Sequence, residues 1–253
     1  MILTADYHTH TPYSHGENTV LENVLRAKEL GLKEIGVSDH GFAHITYGIR
    51  RKKFADYKRE CEEAEKETGL RVLVGMEANI LSESGATDML VSDYKDFDIF
   101  LCGAHVFVRY ESGKDRRALL WSNLLKTSID ARAKRNTQTY IGVIKNNPVD
   151  ILTHIGYRFP CDAVEVAKCA SDYGTYIELN SKKQHLTDEE LSDIAMKTSA
   201  RFVIDSDAHS AKRVGEIALV EEQLKRVNFP MDRIDNIEGR TPIFRFEKYK
   251  EKI

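Results

Sequence analysis

Seven short apolar runs alternate with helical segments along this chain, and no other feature narrows its fold as much. The runs occupy residues 2–5, 35–38, 71–76, 98–102, 150–153, 175–179 and 201–205. They are almost continuously apolar, which is the pattern of strands covered by helices on the sheet face. The intervening segments carry helix punctuation. Thr19 with Glu22 forms a capping box for a helix to about residue 30, and Gly31 ends it. A charged helix over 54–68 stops at Gly69, Pro148 ends a long helical stretch over 115–147, and Thr187 with Glu190 opens another helix. Further helices are expected over 161–173 and 212–227, followed by a mixed tail, and the apolar spacing is lost near 128–138. Strands that alternate with helices imply right-handed crossovers and a parallel sheet. Seven such units without a Gly/Ser/Pro-rich linker point to one closed α/β barrel, a distorted TIM-like (β/α)7 barrel forming a single domain over 1–253.

Six of the seven runs end on a residue able to ligate a metal. These are His8 and His10, His40, Glu77, His105, His154, and Asp207 with His209; the sixth run offers Asn180 instead, and His15 follows the first run after a turn at Pro12. Residues two apart on an extended chain point the same way, so His8 and His10 can share one ion. The carboxyl ends of the strands in a parallel barrel open onto one face, which would gather residues two hundred positions apart. A lone histidine is more often an ordinary polar residue. Recurrence at one structural position is what marks a metal centre. His44, in a loop, and His185, in a turn before a helix, follow no apolar run and are left out of the ligand set. Imidazoles with two carboxylates suit Zn, Mn or Fe better than Mg or Ca.

Composition excludes some partners. The 253 residues are 42% hydrophobic, enough for a sizeable core, and 37 basic against 40 acidic residues are spread along the chain. That balance argues against a broad nucleic-acid or membrane surface. Cys61, Cys102, Cys161 and Cys169 show no C-x-x-C spacing, and no charged-then-apolar leader opens the chain. Reduced thiols in a cytoplasmic protein are expected. The oligomeric state is left open.

The motifs together resemble the PHP (polymerase and histidinol phosphatase) family: His8-Thr9-His10 with His15, Ser38-Asp39-His40-Gly41, Glu77, His105, His154 and Asp207-Ala208-His209, in the family's order over residues 6–209. The resemblance implies a distorted (β/α)7 barrel holding three divalent metals and hydrolysing phosphoesters. His15, where some members have Asp, makes the chain similar to the trinuclear phosphatase branch. Carried over residue by residue, one metal would be held by His8, His10, Glu77 and Asp207. A second would have Glu77, His105 and His154, and a third His15, His40 and His209.

Clustered divalent ions lower the pKa of bound water and neutralise phosphoryl oxygens, so direct attack by metal-bound hydroxide on a small phosphomonoester is the expected chemistry. Histidinol phosphate is one substrate of that class. Glu77 would hold two cations together, while Asp207 and His209 could move a proton. Arg158, Lys182 and Asn180 are the candidates to hold the phosphate, and Lys183, Arg50, Arg51 and Arg109 lie on loops of the same face. The alternatives are a phosphodiesterase or exonuclease on nucleotides and a metal-stabilised binding module without turnover. An amidohydrolase-type barrel also begins with His-x-His but commonly uses a bridging strand-end lysine, absent here from the expected strand ends.

Overall fold

The computed structural model describes residues 1–125 and 127–252. Seven strands form one sheet in sequence order: β1 (Ala5–Thr9), β2 (Glu34–Val37), β3 (Arg71–Asn79), β4 (Ile99–Gly103), β5 (Ile151–Leu152), β6 (Tyr176–Asn180) and β7 (Phe202–Asp205). Each pairs in parallel with the next. The helices α1 (Val20–Glu29), α2 (Phe54–Thr68), α3 (Ile129–Asn146), α4 (Ala163–Tyr173), α5 (Asp188–Lys197) and α6 (Ala218–Val227) cover the outside. The capping boxes at Thr19 and Thr187 are formed, and Gly69 adopts a left-handed φ of 69° at the end of α2. The lumen is filled by Ala5, Tyr7, Leu73, Ile99, Leu101, Ile151, Tyr176 and Val203. It is a nearly closed TIM-like (β/α)7 barrel.

Closure at the β7–β1 seam takes two forms. Near the carboxyl ends of the strands, the backbone bridges directly: His10 N–H donates to Ala208 O at 2.8 Å and Ala208 N–H to His8 O at 3.2 Å. At the opposite end, residues 234–237 insert where an eighth strand would lie, bridging Leu3 through Ile237 and Phe202 through Ile234. The Asn236 side chain joins the two edges, accepting from Ile204 N–H at 2.9 Å and donating to Ile204 O and Ala5 O at 2.7 and 2.9 Å. The mixed tail therefore closes the barrel. Its Phe244 packs on the lumen, and Phe246 at the start of α7 (Arg245–Lys250) is buried beneath β4.

Several boundaries differ from the sequence reading. The first strand starts at Ala5 rather than Ile2, because Leu3 pairs with Ile237 outside the parallel ladder. β3 runs on to Asn79 and so carries Glu77 within it, and β5 is only two residues long. The long stretch before Pro148 is interrupted at Leu125 and at Thr127 and Ser128, not over 128–138. A π-helical turn at Arg116–Trp121 precedes the interruption and α3 follows it; Lys126 lies outside the described residues. The apolar spacing fades over 128–138 because Arg132, Asn136 and Thr137 are buried polar residues of an intact helix. Helix α6 starts at Ala218 rather than 212, since Gly215 takes a φ of 74° after a short 3-10 turn at Ala211–Arg213.

Candidate metal centre

Strand alternation carries most of the site. Along β3 the inward positions are Leu73, Gly75, Glu77 and Asn79, and along β6 they are Tyr176, Glu178 and Asn180. Continuing the phase of Ile99 and Leu101 past β4 reaches His105. Three strands depart from simple alternation. In β1 the register slips by one between Asp6 and Thr9, a bulge that turns His8 toward the lumen although Tyr7 is already there. At the ends of β5 and β7 the re-aiming is done by positive φ values, 33° at His154 and 47° at Asp207. Such values in non-glycine residues mark stored strain, which concentrates at functional positions. Gly103 supplies the space: a Cβ there would lie 2.4 Å from Thr153 Oγ1 and 2.7 Å from the His154 ring.

Glu77, fully buried, is the hub. Its Oε1 lies 2.7 Å from His154 Nε2, 3.2 Å from His105 Nε2 and 2.9 Å from the Thr153 hydroxyl that donates to it. Its Oε2 lies 2.8 Å from His40 Nδ1, 3.3 Å from His8 Nε2 and 3.8 Å from His10 Nε2. The two oxygens thus face two different sets of imidazoles. Asp207 Oδ1 is 3.3 Å from His10 Nε2, and His15 and His209 bring their Nε2 atoms within 2.7 Å of each other. Four groups of donor atoms are close enough to hold an ion: His8/His10/Asp207, His10/His40/Glu77, Glu77/His105/His154 and His10/His15/His209. His40 thus stands with Glu77 and His10, while His15 and His209 converge on His10.

These residues fit a metal by an observation independent of their types. His15 Nδ1, His40 Nδ1, Glu77 Oε2 and His105 Nε2 are buried without a well-directed hydrogen bond among the described residues, although His40 Nδ1 and Glu77 Oε2 are only 2.8 Å apart. Buried polar atoms left unpaired cost about 1–3 kcal/mol each, so several in one cluster imply a missing acceptor of lone pairs. Burial pushes His15 down to about 4 and His40 down to about 3, and also lowers His10 and His209. These imidazoles are neutral at pH 7, the form that binds cations. Burial alone would raise Glu77, but His105, His8, His40 and His154 together hold it well below the carboxylate range.

A second layer orients the ring nitrogens. Glu178 Oε1 accepts from His8 Nδ1 at 2.5 Å, leaving Nε2 to face Glu77 and Asp207, and Glu178 Oε2 accepts from the His154 backbone at 2.7 Å. Asn79 Oδ1 sits 2.9 Å from His105 Nδ1, and Asn79 Nδ2 donates to Asp88 Oδ2 at 2.6 Å. Carboxylates behind metal-facing histidines set their tautomer. Sequence reasoning missed Glu178, Asn79 and Asp88. The inward phase of β3 and β6 was the available signal for the first two.

The cleft beside this cluster has a volume of about 350 Å³, and its outer wall adds Tyr157, Lys182, Lys183 and His185 to the ligand residues. Lys182 Nζ lies 3.4 Å from Asp207 Oδ1 and 3.0 Å from His209 Nδ1. Asn180 is turned inward, donating to Glu178 at 3.0 Å and Asp207 at 3.3 Å, so it braces the site instead of facing the cleft. Arg158 takes a φ of 59° and lines a neighbouring cleft, not this one. Arg51 is paired with Asp93 and Arg50 lines another surface cleft. The two histidines left out of the ligand set both border it: His44 stacks on His40 at 4.8 Å and His185 lies 5.7 Å from His154.

A PHP domain model matches residues 6–182. A protein from Clostridium botulinum named as a probable phosphatase is 30% identical over 257 residues, covering 98% of this chain and 96% of that one. Another so named, from Caldanaerobacter subterraneus, is 31% identical over 243 residues, 92% of this chain and 87% of its own. Among solved structures, histidinol phosphate phosphatase from Lactococcus lactis, in complex with Zn, L-histidinol and phosphate, superposes with a TM-score of 0.60 at 16% identity, over 91% of this chain and 95% of that one. A candidate histidinol phosphatase from Listeria monocytogenes gives 0.66 at 16% identity, over 84% and 97%.

Proposed function

Because this chain belongs to the PHP family, whose model spans most of it, we propose that it is a metal-dependent phosphatase acting on a small phosphomonoester. The observation that carries this reading is the convergence on Glu77 of histidines from four strand ends, with ring nitrogens and a carboxylate oxygen left unpaired. His8, His10, Glu77 and Asp207 would hold one ion, Glu77, His105 and His154 a second, and His15 with His209 a third, completed by His10 or His40. Divalent ions bound there supply Lewis-acid activation of water and neutralise the phosphoryl oxygens.

The remaining work falls to side chains. The Lys182 ammonium, on the cleft wall beside Asp207, pairs with a phosphoryl oxygen. Asp207 Oδ1, within 3.3 Å of the His209 ring, holds or returns a proton during attack and departure. Glu178 and Asn180 keep His8 and Asp207 in place. A cleft of about 350 Å³ suits a small metabolite better than a polynucleotide, which needs a long cationic groove.

Histidinol phosphate heads the panel because the Lactococcus lactis relative is complexed with L-histidinol and phosphate, and Zn heads the metals for the same reason. The test is turnover by protein stripped with a chelator and reloaded with Zn, Mn or Ca. Phosphomonoesters should be hydrolysed after Zn or Mn and not after stripping. Undiminished turnover in stripped protein, or faster hydrolysis of bis(4-nitrophenyl) phosphate than of every monoester, would overturn the proposal.

A further inference from the structure

Beside the metal cleft lies a second one of about 370 Å³, lined by Val106, Asn123, Leu124, Arg132, Arg158 and Pro160. Val106 follows His105 and Arg158 lies four residues past His154, so two of its walls grow from the same strand ends as the metal centre.

Its two arginines are unusual. Arg132 is only 8% exposed, yet among the described residues no carboxylate pairs with it; its Nε donates to Thr127 O at 2.9 Å. A buried guanidinium with no counter-charge is strongly unfavourable, and guanidinium groups in clefts are suited to bidentate contact with carboxylate or phosphate. The position makes matters worse. Arg132 is the fourth residue of α3, near the positive end of the helix dipole, and Ser128 makes no side-chain cap there. Arg158 is exposed, has no acidic partner among the described residues, and is held at a φ of 59° that a non-glycine residue rarely adopts. Its guanidinium lies 5.3 Å from the Tyr157 ring, and Tyr157 lines the metal cleft. One loop therefore offers an aromatic face to the metal cleft and a cation to its neighbour.

We infer that the Arg132–Arg158 cleft is an anion site, separate from the metal centre, which takes a carboxylate or phosphate group. Two sources fit. The anion is either a second acidic group on the substrate, reaching over from the metal cleft, or a free small anion. The site itself does not depend on the phosphatase reading, and only the first source does.

The test has two arms. In the first, inorganic phosphate is titrated calorimetrically into metal-loaded wild type, Arg132→Gln and Arg158→Gln, with Glu77→Gln to remove the metal-centre contribution. Wild type should show two classes of site, one of them weakened roughly tenfold in each arginine variant but retained in Glu77→Gln. In the second, kcat/KM is compared for 4-nitrophenyl phosphate and for a phosphomonoester carrying a carboxylate. If the anion belongs to substrate, the preference for the second compound falls roughly tenfold in the arginine variants; if it is free, the preference holds while the titration still loses its site. Arg158→Gln keeps the test decisive should Arg132→Gln fail to fold, because Arg158 is exposed. Phosphate binding and substrate preference both identical to wild type in Arg158→Gln would overturn the inference. Absence of turnover on any phosphomonoester would instead count against the phosphatase reading, leaving the titration to judge the site.

Discussion

The two ends of this barrel treat buried polar groups in opposite ways. At the carboxyl ends of the strands, Glu77 and the histidines around it lie close together with lone pairs unmatched. At the other end the polar groups that tie the strands together are matched. Asn236 spends its side chain on both edges of the seam, and Asp150 accepts from Phe100 N–H at 3.0 Å and Phe246 N–H at 2.9 Å. Arg245 reaches Thr175 Oγ1 at 3.0 Å, and Arg201 forms a two-pronged pair with Asp235. One end tolerates local conflict because a ligand resolves it, and the other end stabilises the fold that holds the conflict in place.

The largest expected effect comes from removing the hub of the unmatched end. Glu77→Gln keeps the shape but removes the charge that both sets of histidines face. Turnover should fall by roughly 10³-fold or more and metal content should drop, while the melting temperature of stripped protein stays close to wild type. Elemental analysis and calorimetry on the same sample check it. Full metal occupancy with normal turnover would erase the contrast between the ends.

At the matched end the effect should be on stability alone. Asn236→Ala leaves Ala5 O and both backbone groups of Ile204 buried without the partners they have now. The expected cost is about 3–5 kcal/mol, a fall in Tm of roughly 10 °C for a chain of this size. Metal content and kcat below the transition should match wild type. A change in metal stoichiometry at low temperature would mean that the seam and the centre are not separable.

The smallest effect sharpens the comparison through pH. Burial pushes the Asp150 carboxyl up to about 7, from an ordinary value of 3.8. The folded chain therefore binds this proton more tightly than the unfolded chain, so the contribution of Asp150 to stability is greatest at low pH and declines as pH rises from about 4 to 7. Asp6 and Asp205, also raised by burial, add slopes of their own. In Asp150→Asn the decline in Tm over that range should be shallower than in wild type. Identical slopes would show that Asp150 does not titrate in the folded barrel.

The candidate ligands were legible because metal binding demands particular residue types, and His, Asp and Glu after apolar runs stand out. Glu178 had only the inward phase of β6 to mark it and Asp88 had nothing, since a carboxylate inside a strand or loop looks like any other until the histidine or amide it supports is beside it. Arg158 stands four residues past His154, which along the chain puts it beside the metal centre. Its positive φ and the packing of Tyr157 send it into the next cleft, and spacing alone carries no such information.

What the sequence determined by itself is local: the strand–helix alternation, the capping boxes at Thr19 and Thr187, the stop at Gly69, and the set of chemically able residues. These depend on interactions within a few residues, so the pattern is readable without the fold. Only the tertiary structure decided the direction of each side chain at the strand ends. The bulge in β1 and the positive φ of His154 and Asp207 turn those side chains into the site, and the lack of a side chain at Gly103 leaves room for the His154 ring. It also decided that residues 234–237 close the seam, because an unpaired strand edge is satisfied by whatever segment packing brings to it.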